Sequence, residues 1–147
     1  MKIALDVLGG DNAPLSNIKG AFAYLDQCGV SAAEIILIGD KIQIESSIKD
    51  LSRNVTEVSI IHTTEVVDMN ERASRIFREK PDSSLVKSIQ LVKDGEAQAA
   101  VSAGNTGALL TSSLFLIGKI PGIRRPAFAP FIPTNNGGFI LCDAGAN

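Results

Sequence analysis

The chain has 147 residues, of which 45% are hydrophobic and 20% charged, so it suits one domain and is long enough to bury a core. The formal net charge of −2 argues against a nucleic-acid-binding protein, because such proteins carry a surplus of Lys and Arg. No apolar run approaches the ~20 residues of a membrane span, and the first residues lack the apolar stretch of a signal peptide. These features predict a soluble cytoplasmic protein.

Cysteine and histidine usage narrows the chemistry further. Cys28 and Cys142 are isolated and lack C-x-x-C spacing, which favours two reduced thiols over a disulfide. His62 is the only histidine, so a His-rich metal site is excluded. We expect His62, which ends a predicted strand, to have a structural rather than a catalytic role.

In the first half of the chain, short apolar runs alternate with segments whose apolar residues recur every three or four positions. The runs predict buried strands, and the recurring segments predict amphipathic helices. Gly and Pro mark the boundaries between them. The predicted elements are a strand at 2–6, a helix from Pro14 to Gly29, a strand at 34–38, a helix at 41–51 and a strand at 58–62.

The second half begins with a charged stretch, 63–81, that we expect to be irregular and partly helical. Good N-cap residues at 82–84 then introduce a new helix. A strand and a helix follow, and a turn at 133–137 separates two further strands that the short connection allows to be antiparallel. The predicted elements are a helix from 82–84 to Gly95, a strand at 97–102, a helix with the apolar stripe Leu109, Leu110, Leu114 and Ile117 that Gly118 breaks, and strands at 127–132 and 138–142.

Strands that alternate with helices predict βαβ units and a mostly parallel sheet with helices on both faces. We therefore expect residues 1–147 to form a single α/β domain. The chain stops at Asn147, just beyond a predicted strand, where α/β proteins usually place a functional loop. This position suggests a truncated chain.

The segment 101–108 carries the strongest local signal for chemistry. A strand leads into a loop of small residues that opens a helix, whose first N–H groups lack helical partners and carry positive partial charge. Gly104 and Gly107 let a ligand approach the backbone, and Ser102, Asn105 and Thr106 add short polar side chains. The pattern fits a phosphate-binding turn, and it equally fits an ordinary N-cap with a tight turn. It is not a Walker loop, because no Lys follows the second Gly.

Two other turns have a similar character. Gly9, Gly10 and Asp11 follow the first strand, and Asp11 either orients a donor or caps the next helix. Ser83 and Ser84 open another helix, where they either bind phosphate or simply cap it. Neither turn has the G-x-G-x-x-G spacing of a dinucleotide site.

Basic residues stand close to the third turn and further along the chain. Lys80, Arg78 and Arg75 precede Ser83 and make its surroundings cationic, which suits a phosphate or an acidic carrier protein. Pairing with Glu71 and Glu79 would instead make this a solvated charged segment. Arg125 is a further candidate for an anion clamp.

Five blocks of the sequence resemble the phosphate acyltransferases of bacterial phospholipid synthesis, and they occur in the order of that family. The block at 101–108 is the most specific of them. The blocks are residues 4–11 with Pro14, residues 80–84, residues 101–108, residues 122–127 and residues 143–147. Members of this family are considerably longer than 147 residues, and they often have His where this chain has Asn12.

The resemblance implies an enzyme that converts an acyl-carrier-protein thioester and inorganic phosphate into an acyl phosphate and the free carrier. A membrane-bound acyltransferase then passes the acyl group to glycerol 3-phosphate. The implied fold is a Rossmann-like three-layer α/β/α sandwich akin to phosphotransacetylases, and the implied assembly is a homodimer without metal or organic cofactor. The implied location is the cytoplasm, with a peripheral position at the inner face of the membrane left open.

The resemblance and the chemistry of the turns together define the candidate site. Four residues are assigned to catalysis, namely Ser102, Asn105, Asp11 and Asp143. Ten residues are assigned to substrate binding, namely Gly9, Gly10, Lys80, Ser83, Ser84, Gly104, Thr106, Gly107, Arg125 and Asn147. Phosphate is already an anion, so the site needs donors that position it and stabilise an oxyanion rather than a strong base.

Two alternatives remain open at this point. A short-chain phosphotransacetylase that uses acyl-CoA would need the same kind of phosphate-binding turns. A non-catalytic anion-binding fragment would need only the turns themselves.

Overall fold

A parallel sheet of four strands forms the centre of the computed structural model, which describes residues 1–28, 35–124 and 126–142. The strands are β1 (Ile3–Asp6), β2 (Ile35–Gly39), β3 (Ser59–His62) and β4 (Ala99–Ser102). Their order across the sheet is β3-β2-β1-β4, and all three neighbouring pairs are parallel. The predicted parallel sheet is therefore confirmed, with strand boundaries within two residues of the predicted ones.

Within the described ranges, five α-helices accompany the sheet. They are α1 (Leu15–Cys28), α2 (Lys41–Asp50), α3 (Ile76–Glu79), α4 (Ser84–Lys93) and α5 (Thr106–Leu116). The predicted end of the first helix at Gly29 lies outside the described residues. None of the described helices is long and apolar enough to cross a membrane.

The two faces of the sheet pack against different helices because side chains alternate along each strand. Leu5 and Leu37 point to one face, where they pack with buried apolar residues of α1 and α2. Ala4, Ile36 and Ile38 point to the other face, where they pack with Leu91 of α4. Helices on both faces of a parallel sheet make a three-layer α/β/α sandwich, as predicted.

Each of three helices begins at a polar residue whose side chain satisfies a free backbone amide. Asp40, Ser83 and Asn105 are the N-caps of α2, α4 and α5, and each side-chain oxygen accepts a hydrogen bond from the first turn. All three have extended backbone conformations and directly follow strands or turns at the carboxyl side of the sheet. The start of each helix is thus fixed locally by one side chain.

The charged stretch between β3 and α4 is irregular and partly helical, as predicted. It contains a 3₁₀ turn at Ala73–Arg75 followed directly by α3. Ile76 is buried, and the ring of Phe77 stacks on that of Phe115 in α5 at a centroid distance of 4.4 Å. This stretch therefore packs over α5.

A second 3₁₀ turn, Val55–Glu57, was not predicted. Asn54 and Glu57 form a capping box there, in which each side chain accepts a hydrogen bond from the other end of the turn.

The last two described strands, β5 (Phe131–Thr134) and β6 (Gly137–Ile140), form a separate antiparallel hairpin. The antiparallel pairing is confirmed, but the predicted strands at 127–132 and 138–142 and the five-residue turn were wrong in detail. Pro133 and Thr134 pair with Gly138 and Gly137, so only two residues connect the strands. Gly137 adopts a φ of +116°, which lets the chain reverse sooner than the sequence suggested.

Candidate functional site

Two turns meet at the carboxyl edge of the sheet because β1 and β4 are neighbours. The last residues of these strands, Asp6 and Ser102, lie opposite each other in the parallel register. Residues 7–10 then lead towards α1, and residues 103–105 lead into α5. We call residues 7–10 and 103–105 the joined turns.

Asp6 lies at the base of the joined turns and is only 1% exposed. Its Oδ1 atom accepts hydrogen bonds from the backbone amides of Leu8 at 3.1 Å and Gly9 at 3.2 Å. Its Oδ2 atom accepts a hydrogen bond from Ser102 Oγ at 2.7 Å. A buried carboxylate needs such donors, and here they come from both turns.

The hydroxyl of Ser102 links the two turns. It donates its proton to Asp6 and accepts a hydrogen bond from the backbone amide of Gly104 at 3.0 Å. A serine hydroxyl has one proton to donate, and this one is already engaged. Ser102, predicted to be catalytic, therefore holds the turns together in this structure.

The backbones of the joined turns touch at glycine residues. A Cβ atom added to Gly9 would lie 2.7 Å from the backbone nitrogen of Gly104 and 2.7 Å from Asp6 Oδ2. Gly10 has a φ of +96°, and a Cβ there would lie 3.1 Å from the carbonyl oxygen of Ala103. The close approach of the two turns thus requires glycine at position 9, and the conformation favours it at position 10.

The first turn of α5 presents backbone amides at this edge. Asn105 caps the helix, and its Oδ1 atom accepts the amide of Ala108 at 2.9 Å. Among the described residues, the backbone amides of Thr106 and Gly107 form no hydrogen bond. Gly107 also lies close to Ala73, because a Cβ added to it would be 3.0 Å from that methyl group. These two amides are available to bind an anion.

The side-chain nitrogen of Asn105 binds the 68–71 loop rather than its own helix. Its Nδ2 atom donates to the carbonyl oxygens of Asp68 at 3.2 Å, Met69 at 3.1 Å and Glu71 at 3.1 Å. Asn105 is 8% exposed, and both ends of its side chain are bound to the protein. Its contacts indicate that it positions α5 and the 68–71 loop, while its predicted catalytic role stays a prediction.

The turn that precedes α4, residues 80–83, is a second feature at this edge, and we call it the Ser83 turn. Ser83 is fully buried, donates to the carbonyl oxygen of Lys80 at 2.8 Å and accepts the amide of Val86 at 3.4 Å. Ser84 is 2% exposed. Within the described residues, no side-chain hydrogen bond connects Ser83 or Ser84 to the joined turns, so their predicted phosphate contacts stay a prediction.

Lys80 is engaged by the protein rather than free. Its Nζ atom donates to a carboxylate oxygen of Glu71 and to the carbonyl oxygen of Val66 at 2.6 Å. The hydrogen bond from Lys80, helped by one from the amide of Asp68, lowers the pKa of Glu71. The ion pair between Lys80 and Glu71, which the sequence allowed as an alternative to anion binding, is present. An anion would have to compete with Glu71 for Lys80.

Asp82 fastens the Ser83 turn to the residues after β3. Its Oδ2 atom accepts the hydroxyl of Thr64 at 2.6 Å and the Thr64 amide at 2.9 Å, and these bonds lower the pKa of Asp82. The Asp82 amide in turn donates to Glu65 at 2.9 Å. Nearby, Nδ1 of His62 accepts the amide of Lys41 at 3.1 Å, a contact that suits its expected structural role.

The remaining predicted residues are Asp11 and three that the structure does not describe. Asp11 is exposed in the turn before α1, and its carboxylate has no hydrogen bond or ion pair with the described residues. Arg125, Asp143 and Asn147 lie outside the described residues. In the described ranges, no group of three or more His, Cys, Asp or Glu side chains is arranged to hold a metal ion.

Sequence reasoning missed the role of Asp6. It was treated only as the last residue of a strand, although its buried carboxylate binds the 7–10 turn directly and the 103–105 turn through Ser102. A carboxylate at the end of an apolar run, followed within three residues by Gly-Gly, was the available signal, because Asp often accepts amides two and three residues ahead.

The sequence of the chain is similar to a family model and to several named proteins. A family model described as fatty acid synthesis protein matches residues 1–147. Proteins named phosphate acyltransferase from Exiguobacterium sp. strain AT1b and Thermoanaerobacterium thermosaccharolyticum are 45% and 46% identical to the whole chain. A protein of the same name from Listeria monocytogenes is 45% identical. The chain covers 44%, 42% and 42% of these relatives, which is less than half of each.

Proposed function

The chain belongs to the fatty acid synthesis protein family, and from this premise we propose that it takes part in transferring a fatty acyl group from an acyl carrier protein to inorganic phosphate. Residues 1–147 would supply one α/β domain to a protein as long as the relatives. The relatives' name, phosphate acyltransferase, supports acyl transfer to phosphate. The structural observation that carries the proposal is the pair of unpartnered amides, Thr106 and Gly107, beside the joined turns.

In the proposed reaction, an oxygen of hydrogen phosphate attacks the thioester carbonyl carbon. A C–O bond forms, the carbonyl oxygen becomes a transient oxyanion, and the C–S bond then breaks. The proton of hydrogen phosphate balances the leaving thiolate, so the products are an acyl phosphate dianion and the free carrier thiol. The reaction needs positioning and oxyanion stabilisation, and it needs no side-chain nucleophile.

The amides of Thr106 and Gly107 have the properties this reaction requires. They lie at the positive end of an 11-residue helix, and their N–H groups are fixed in direction by the cap at Asn105. Fixed donors stabilise a developing negative charge without reorganising, and one such donor is typically worth about 3 kcal/mol in the transition state. Gly104 and Gly107 are packed closely against Gly9 and Ala73, so their predicted contact with phosphate would be made through backbone amides.

Further features of the proposal come from the resemblance and from the relatives' names. The acyl donor is an acyl carrier protein, the product passes to a membrane glycerol-3-phosphate acyltransferase, and the enzyme acts in the cytoplasm as a homodimer. Lys80 would assist phosphate binding only if it exchanged Glu71 for the anion. Arg125, Asp143 and Asn147 stay proposed site residues.

Trapping the product tests the function directly. The protein is incubated with palmitoyl–acyl carrier protein and phosphate, and hydroxylamine converts any acyl phosphate into a hydroxamate that is quantified by mass spectrometry. A parallel reaction contains acetyl-CoA or palmitoyl-CoA as the only acyl donor. Phosphate-dependent hydroxamate from the carrier thioester supports the proposal, while product from acetyl-CoA alone would identify a phosphotransacetylase. Phosphate binding without any product would identify a non-catalytic anion-binding protein.

A proline substitution tests the amide that carries the proposal. Thr106→Pro removes one N–H at the first position of α5, where proline is well tolerated and where the extended backbone of Asn105 suits a residue before proline. We expect turnover to fall about a hundredfold, since one oxyanion donor is typically worth that much. Lys41→Pro controls for proline at the first position of a helix in α2, although it also removes the hydrogen bond that the Lys41 amide donates to His62, so circular dichroism checks that both variants are folded. Equal turnover in Thr106→Pro and Lys41→Pro would exclude the Thr106 amide from the site.

A further inference from the structure

The buried carboxylate of Asp6 is a feature that the proposed reaction does not use directly. It is 1% exposed and accepts three hydrogen bonds, from the amides of Leu8 and Gly9 and from the hydroxyl of Ser102. Ser102 follows Asp6 by 96 residues in sequence, and the two side chains meet because they end neighbouring strands. A carboxylate with this set of partners couples the conformation of one turn to that of the other.

The direction of the hydrogen bonds decides what Ser102 can do. A carboxylate only accepts hydrogen bonds, so the proton between Asp6 and Ser102 belongs to the serine. The serine oxygen simultaneously accepts the Gly104 amide at 3.0 Å. Ser102 therefore has no proton left to donate to phosphate while it is bound to Asp6.

The same contacts explain how the turns hold their spacing. Gly104 is bound through its amide to Ser102, and its backbone lies against Gly9, which is bound through its own amide to Asp6. Gly104 directly precedes the N-cap Asn105, so its position sets the start of α5. A shift of the Asp6–Ser102 pair would move the amides of Thr106 and Gly107.

We propose that Asp6 and Ser102 act as a pair of positioning residues that holds the joined turns in the geometry needed to bind phosphate. This inference rests on the proposed function, and it assigns Ser102 to positioning rather than to direct contact with substrate. Asp6 then contributes to phosphate binding without touching the anion.

Titration with inorganic phosphate tests the inference separately from turnover. The dissociation constant is measured from amide shifts in NMR spectra of ¹⁵N-labelled protein, and hydroxamate trapping with palmitoyl–acyl carrier protein is measured on the same preparations. Ser102→Ala removes the link, and we expect it to weaken phosphate binding about ten- to a hundredfold through misplacement of the amides. Ser102→Thr retains a hydroxyl on the strand and is expected to restore most of the affinity.

A matched control separates positioning from a general effect of removing a buried hydroxyl. Ser88 is fully buried in α4, and its hydroxyl donates to the carbonyl of Leu85 at 2.8 Å, away from the joined turns. Ser88→Ala is expected to leave the phosphate affinity unchanged. Asp6→Asn keeps an acceptor for the Leu8 and Gly9 amides, and its loss of affinity should be smaller than that of Asp6→Ala.

The outcomes distinguish this inference from the proposed function. Unchanged phosphate affinity in Ser102→Ala would overturn the positioning role and leave acyl transfer standing. An acyl adduct on Ser102 in the wild-type protein would also overturn it, because it would make the serine a nucleophile. Weaker phosphate binding in Ser102→Ala, without any acyl phosphate from the wild type, would support the inference and reject the proposed function. Absence of phosphate binding by the wild type would overturn both.

Discussion

The joined turns and the Ser83 turn both stand where the chain enters a helix at the carboxyl side of the sheet, yet different contacts hold them. In the joined turns, a buried carboxylate and direct contacts between glycine backbones fix the geometry. The Ser83 turn is held largely by half-exposed charged and polar side chains, such as the pairs Glu71–Lys80 and Thr64–Asp82. Packing and burial therefore contribute most to holding the joined turns, whereas electrostatic contacts contribute more to holding the Ser83 turn.

This difference has a functional meaning. Contacts between buried groups are screened little by salt, so the joined turns can present backbone amides in a constant geometry. Ion pairs at the surface are weak and exchange partners readily, so the Ser83 turn can adapt when an anion or a partner protein approaches. The molecule thus combines a rigid region that would position phosphate with a neighbouring region whose charges can rearrange.

The largest expected effect is that of a methyl group inside the joined turns. In Gly9→Ala, the new Cβ would lie 2.7 Å from the Gly104 nitrogen, so the two backbones must separate. We expect the free energy of unfolding to fall by about 3 kcal/mol, as for strong overpacking, in urea denaturation. Gly20→Ala is the matched control, because nothing lies within 4 Å of its Cβ position in α1.

The control substitution Gly20→Ala is expected to change the free energy of unfolding in the opposite direction. Alanine is favoured over glycine in a helix, so Gly20→Ala should raise the free energy of unfolding by about 0.5–1 kcal/mol. If Gly9→Ala were as stable as Gly20→Ala, the tight contact between the joined turns would be absent in solution.

Asn105 connects the two regions, and its substitution should have the second largest effect. Asn105→Ala removes the cap of α5 and leaves the carbonyl oxygens of Asp68, Met69 and Glu71 without their donor. We expect a loss of about 2 kcal/mol in the free energy of unfolding. Amide hydrogen exchange should also accelerate in residues 68–71.

The cap of α2 provides the comparison for this prediction. Asp40→Ala removes a cap whose side chain bonds only to its own helix, at Ile42 and Gln43. Its loss of stability should be smaller than that of Asn105→Ala, and exchange in 68–71 should stay slow. Slow exchange in Asn105→Ala would show that the 68–71 loop is held by other contacts.

The same contrast explains how far the sequence predicts this structure. The strand β2 is a short apolar run buried on both faces, and this pattern is visible in residues 35–39 without any knowledge of their neighbours. The caps Ser83 and Asn105 were recognisable because capping is a local interaction. The strand ends of the β5–β6 hairpin were predicted one to four residues from their positions, since Pro133 argued for a turn although it sits in a two-stranded ladder.

The site was less predictable than the fold because its contacts are not local. The role of Asp6 depends on Ser102, which follows 96 residues later and becomes a neighbour only through the strand order. The side chain of Asn105 was assigned to substrate, whereas its partners lie 34 to 37 residues away in an irregular segment without periodicity. Sequence patterns identified the turns correctly, but the partners of each side chain required the topology.

A smaller effect is expected at the Ser83 turn. Ser83→Ala removes the cap of α4 and the hydrogen bond to the Lys80 carbonyl, so the free energy of unfolding should fall by about 1 kcal/mol. Ser46→Ala on the exposed side of α2 is the control and should not reduce stability. Thermal unfolding followed by circular dichroism measures both, and a Ser83→Ala loss as large as that of Gly9→Ala would contradict the contrast between the two regions.

The smallest effect concerns the pair Glu71–Lys80 and depends on pH. The hydrogen bond from Lys80 lowers the pKa of Glu71, so the folded protein binds this proton less readily than the unfolded chain. The resulting stabilisation is present above the ordinary glutamate pKa of about 4.3 and is lost as the pH falls through the lowered value. The melting temperature of the wild type should therefore exceed that of Glu71→Gln at neutral pH, with the gap closing between about pH 5 and pH 3. Glu79→Gln is the control, since Glu79 is 61% exposed and its carboxylate lies 3.9 Å from Arg75. If Glu79→Gln lowered the melting temperature as much as Glu71→Gln, the ion pair with Lys80 would contribute no more than an exposed ion pair.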